Sequence, residues 1–85
     1  MDKIISIEIA EGEDVVRRVR EVLSRMCTPH GDIQSIDVFL DPTSDNATGL
    51  GLVQMDKEQV TAAVTALRAI RFAGCVGFLF RVRRV

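Results

Sequence analysis

An α+β two-layer sandwich is the fold class this sequence predicts, and three observations predict it. Four stretches alternate apolar and polar residues with a period of two. Two other stretches carry apolar residues at helical spacing. The middle pair of alternating stretches is joined by a short run of turn-forming residues. Eighty-five residues make one domain, residues 1–85. A chain of this length buries only roughly 60–65% of its unfolded surface, which is enough for a single core.

The elements follow in order. Ile5, Ile7 and Ile9 alternate with Ser6 and Glu8 in a first strand over Lys3–Ala10. Glu11-Gly12-Glu13-Asp14 is a turn with acids where a helix dipole favours them. Val15, Val16, Val19, Val22, Leu23 and Met26 then stripe one side of a helix of about four turns. Arg17, Arg18, Arg20, Glu21, Ser24 and Arg25 fall on its other side. Cys27-Thr28-Pro29-His30-Gly31 stops it, since proline and glycine both punctuate. Ile33–Leu40 is the second strand, with Ile36, Val38 and Leu40 on one face. Asp41–Thr48 is the loop and Gly49–Met55 the third strand. Asp56 followed by Gln59 has the pattern of a capping box, opening a helix striped by Val60, Ala63, Val64, Leu67 and Ile70. Phe72-Ala73-Gly74-Cys75 leads into the last strand, Val76–Val85. The order β-α-β-β-α-β predicts a ferredoxin-like sandwich: a four-stranded antiparallel sheet with both helices on one face.

Composition excludes some classes of function. Eleven basic and twelve acidic residues give a net charge of −1, with 47% apolar and 27% charged residues. That is an ordinary globule with no general attraction to nucleic acid or an anionic membrane. The opening MDKIISIEIAEGED has acids at both ends and a very short apolar run, unlike a signal peptide or a membrane span. Two cysteines without a secretion signal predict reduced thiols and a cytoplasmic protein. Asn46-Ala47-Thr48 matches a glycosylation acceptor, which has no meaning in that compartment.

No residue set amounts to a reaction mechanism, so the expectation is no catalytic residue, no metal and no cofactor. Cys27 and His30 have the spacing of half a metal site, but no second pair is visible. The sole histidine has no partner for a triad. The glycines of the third strand precede neither Lys-Ser/Thr nor a helix, so they form no phosphate loop. Cys75 reads as a small buried hydrophobe.

Alternation also predicts the sheet face that the helices leave open. It would carry Ile4, Ser6 and Glu8; Ile33, Ser35, Asp37 and Phe39; Leu50, Leu52 and Gln54; and Leu79, Arg81 and Arg83. A patch of Ile4, Phe39, Leu50, Leu52 and Leu79 is the expected interaction face, with self-association into a dimer the simplest use. Arg81, Arg83 and Arg84 form a basic tail at its edge, suited to an acidic partner or an RNA backbone.

Two family resemblances accompany this reading. From Leu23-Ser24-Arg25-Met26 through Leu67, including Gly31–Val38 (GDIQSIDV), the chain resembles the RNA-recognition-motif family. Thr48-Gly49-Leu50-Gly51-Leu52-Val53-Gln54-Met55 keeps the glycine spacing of that family's central strand but lacks its leading base and its three rings. The resemblance implies a degenerate module that binds RNA weakly or a protein partner, with RNA disfavoured. Over nearly its whole length the chain is also similar to the ACT-domain family of small regulatory domains. The similarity rests on the first strand running into an amphipathic helix, on His30-Gly31-Asp32-Ile33-Gln34-Ser35-Ile36, and on the hydrophobic last strand. It implies a non-catalytic regulatory module that self-associates and takes a small metabolite at Glu11, Gly12, Asp14 and Asp32. Gly12 would allow close backbone approach and Asp14 would hold an ammonium. The family's Pro-Gly pair is missing from this loop, and a plain capping turn is the competing reading of it.

Overall fold

The structure is a computed structural model that describes residues 4–41 and 48–85. Its elements are β1 (Ile4–Ile9), α1 (Val15–Cys27), a 3-10 turn (Thr28–His30), β2 (Ile33–Leu40), β3 (Thr48–Met55), α2 (Lys57–Leu67), β4 (Ile70–Phe72) and β5 (Cys75–Arg84). Most of the expected Asp41–Thr48 loop lies outside the described residues, as do Asn46 and Ala47 of the glycosylation acceptor.

Among the described residues the fold is α+β with two helices, but its sheet is mixed and five-stranded, not four-stranded and antiparallel. The strand order is β1-β5-β3-β2, with the short β4 also on β5. β1 runs parallel to β5, while β2–β3, β3–β5 and β4–β5 are antiparallel. One extra hairpin accounts for the change. A chain leaving α2 directly into its final strand would lay that strand parallel to β3. Here the segment that does so is β4, which then turns through Ala73-Gly74. Both turn residues have positive φ, 50° and 75°, as a two-residue hairpin of the primed type requires. The turn reverses the chain, so β5 enters antiparallel to β3 and parallel to β1. β4 and β1 share one edge of β5: β4 pairs with Cys75–Gly77 and β1 with Leu79–Arg84.

Both helices cover the same sheet face, as alternation predicts. Val19, Leu23 and Cys27 of α1 and Val60 and Ala63 of α2 are buried in one cluster with Ile7, Ile9, Val53, Met55, Val76, Phe78, Phe80 and Val82. Asp14 caps α1, its Oδ1 accepting from the backbone N–H groups of Val16 at 3.0 Å and Arg17 at 3.3 Å. Glu21 meets Arg18 at 3.0 Å and Arg25 at 2.9 Å, so part of the basic outer face of α1 is paired within the helix.

Three local expectations are corrected. Ile33 packs against the core instead of the open face, because β2 is irregular between Ile33 and Ser35 and the alternation slips there. The second helix stops at Leu67, where Arg68 takes a left-handed conformation (φ 53°), and Ile70 belongs to β4. Asp56 stands at the N-cap of α2, but the capping box does not form. Its Oδ1 accepts from Gln34 Nε2 at 2.7 Å, and Gln59 Oε1 accepts from the Asp32 N–H at 3.2 Å. Both side chains therefore tie the start of β2 to the start of α2.

Candidate interaction face

The uncovered side of the sheet is built by the cross-strand registers. Ile4 lies opposite Leu79, Leu79 opposite Leu50, and Leu50 opposite Phe39, so one apolar row crosses β1, β5, β3 and β2. The next row places Ile70 opposite Gly77, Gly77 opposite Leu52, and Leu52 opposite Asp37. Gly77 leaves room for Ile70: a methyl group there would meet Ile70 Cγ1 at 2.8 Å. Phe72 stands beyond, opposite Cys75. On the other side of the apolar row, Ser6, Arg81 and Thr48 align and Glu8 lies beside Arg83. Ile4 is 53% exposed, Phe39 55% and Phe72 52%, whereas Leu50, Leu52 and Leu79 are half-buried by their neighbours.

The five residues predicted for this face are brought together on it. Ile70, Phe72 and Cys75 join it through the Ala73-Gly74 hairpin, which the local sequence pattern does not announce, and Cys75, expected as a small buried hydrophobe, is only half-buried there. Arg81 and Arg83 stand on the open face. Arg84 pairs with Ile9 and so alternates to the helix side, which divides the basic tail between two faces. That tail also ends the central strand β5, not an edge strand.

The loop implied as a metabolite site is arranged differently. Glu13 Oε1 accepts from the Ala10 N–H at 3.1 Å, and Asp14 is spent as the cap of α1. Gly12 has φ 87° and nothing within 4 Å of where a side chain would start. Glu11 is exposed. An open groove of about 440 Å³ runs from Gly12 along Asp14 and Arg17 to Glu21. Asp32 is not part of it. It follows the C-terminal end of α1, and thirteen helical residues span about 20 Å.

Among the described residues no three His, Cys, Asp or Glu side chains are grouped to hold a metal ion. Cys27 is buried, and burial pushes its thiol up to about 11. No helix among the described residues is long and apolar enough to cross a membrane. In comparisons with known proteins, no family model, curated protein or solved structure matches the chain.

Proposed function

We propose that the chain is a non-catalytic interaction module that works by pairing its uncovered sheet face with the same face of a second copy. One observation carries this reading: the unbroken apolar row Ile4–Leu79–Leu50–Phe39, widened by Leu52, Ile70 and Phe72. Fully burying one such side chain is worth roughly 1.5–3 kcal/mol, so a half-exposed row of four is costly to leave in water. Four strands about 4.8 Å apart and about 27 Å long present a face of about 500 Å². Two such faces bury about 1,000 Å², the lower limit for a specific interface. The dimer is therefore a weak one, in a range where protein concentration sets its population.

A small regulatory domain of the ACT kind would use self-association of this sort, and the sheet face favours it. The nucleic-acid reading is less well supported. The central strands β3 and β5 offer Leu50, Leu52 and Leu79 where base stacking needs rings, and the exposed rings of Phe39 and Phe72 sit on the outermost strands.

Light scattering across a concentration series tests the proposal. A monomer–dimer equilibrium is expected, and Leu50→Glu at the centre of the face should weaken it at least about tenfold while leaving the circular dichroism spectrum unchanged. A wild-type chain that stays monomeric at millimolar concentration would sink it.

A further inference from the structure

A second groove, separate from both the apolar row and the Gly12 loop, is formed where β3 and β5 part. Beyond the Val53–Val76 pair the strands diverge, β3 into α2 and β5 back into the Ala73-Gly74 turn. The opening is about 390 Å³, within the usual range for small-molecule sites. Met55 and Val60 are its buried residues, and Gln34, Gln54, Lys57, Arg71 and Cys75 line the rest.

The polar atoms there are unevenly used. Gln34 gives its Nε2 to Asp56, and its Oε1 accepts from no group among the described residues. Gln54 accepts from Ser35 Oγ at 3.1 Å through Oε1, and its Nε2 donates to no group among the described residues. Arg71 gives one Nη to Thr61 Oγ1 and keeps its other N–H groups. Lys57 has no ion pair or hydrogen bond among the described residues. No aspartate or glutamate is among the residues that line the groove, and Asp56 beside it accepts from Gln34. Two cations, an amide donor and an amide acceptor thus line one opening that has Met55 and Val60 as its apolar floor.

We infer that this groove binds a compact oxyanion, a phosphate ester or a carboxylate, that carries a neighbouring hydroxyl. Lys57 and Arg71 hold the charge, Gln54 Nε2 donates to a remaining oxygen, and Gln34 Oε1 accepts from the hydroxyl. The inference does not rest on self-association, because Gln34, Lys57 and Arg71 stand apart from the apolar row.

The test titrates the full chain separately with glycerol 3-phosphate and with malate, following backbone amide shifts. Cys75, which borders both the groove and the sheet face, supplies a second readout through its rate of alkylation by neutral iodoacetamide, measured at a protein concentration low enough to keep the chain monomeric. Saturable shifts confined to the region of Gln34, Gln54–Glu58 and Arg71–Cys75 are expected with at least one probe, together with slower alkylation of Cys75. Lys57→Gln, which breaks no described contact, should weaken binding at least about fivefold. Arg20→Gln on the outer face of α1 removes the same charge and should leave binding unchanged. Which probe saturates tells a phosphate ester from a carboxylate. Shifts with neither probe up to 10 mM (a concentration chosen at roughly tenfold above the ~1 mM dissociation constants that weak sites show) overturn the inference. So does equal weakening by both variants, or unchanged Cys75 alkylation at saturation.

Discussion

Gly51 offers the sharpest test of how the third strand is used. It lies on the helix-covered side of β3, and a methyl group placed on it would meet Leu23 Cδ1 at 2.3 Å. Leu23 is fully buried under α1. The glycine is therefore a hollow that receives a helix side chain. Gly51→Ala gains roughly 0.5–1 kcal/mol in strand backbone entropy. Against that stands overpacking, which costs about 1–3 kcal/mol in a well-packed core. The net expectation is a loss of about 1–2 kcal/mol, by the same two principles. Leu23→Ala alone should cost about 2–5 kcal/mol.

The double variant decides the matter. With Leu23 shortened, the new methyl fills part of the cavity and the clash disappears. The pair should then be less destabilised than the sum of the singles by about 1–2 kcal/mol, a coupling expected only of residues in contact. Urea unfolding followed by circular dichroism measures all three variants, with the slope of free energy on urea checked for constancy. Gly49→Ala is the control. Its methyl would meet the Phe39 carbonyl oxygen at 2.2 Å, a backbone clash that shortening Leu23 does not relieve. Additivity of the Gly51 and Leu23 effects within about 0.5 kcal/mol would refute the reasoning.

Three further outcomes are expected. Ala73 holds a left-handed conformation that suits asparagine or glycine better, so Ala73→Asn should raise the melting temperature by several degrees, roughly 0.5–1 kcal/mol; a lower melting temperature would contradict the hairpin described above. Asp14→Ala should cost about 1 kcal/mol in urea unfolding through loss of two accepted hydrogen bonds at the start of α1. Cys27 binds its proton more tightly folded, near 11, than unfolded, near 9.0, so its contribution to stability is whole below pH 9 and is lost as pH rises towards 11. Unfolding at pH 8 and pH 10.5, compared with Cys27→Ala, reads this directly: the variant should lose less stability over that interval than the wild type.

Much of the architecture was legible because burial imposes a period. Ile5, Ile7 and Ile9 announce a one-faced strand, and Val19, Leu23 and Cys27 fall on the buried stripe of α1. The open-face residues Ile4, Phe39, Leu50, Leu52 and Leu79 followed from the same alternation. What stayed hidden involves single residues acting against local pattern. Ile70 continues the apolar stripe of α2, yet Arg68 turns left-handed two residues earlier and ends the helix. Asp56 and Gln59 have capping-box spacing, yet partners on Gln34 and Asp32, distant in sequence, take their side chains. Ala73 conceals a turn that Asn-Gly would have advertised. The groove at Lys57 and Arg71 was invisible for a related reason, since β4 was needed to place Arg71.

That hairpin also decides which strand occupies the centre. β5, Cys75–Arg84, has Val76, Phe78, Phe80 and Val82 buried on one face and is flanked by β3 on one side and by β4 and β1 on the other. The strand with the most buried side chains thus loses both edges, while β1, with Ser6 and Glu8, takes an outer position. In a four-stranded antiparallel arrangement of these segments β5 would be an edge strand, its unpaired backbone beside Phe78 and Phe80 open to indiscriminate pairing. Centring β5 removes that hazard. It also sets Leu79 between Ile4 and Leu50, which makes the apolar row continuous. The topology that protects the backbone of the last strand is therefore the same one that leaves the leucine face as the surface where association is expected.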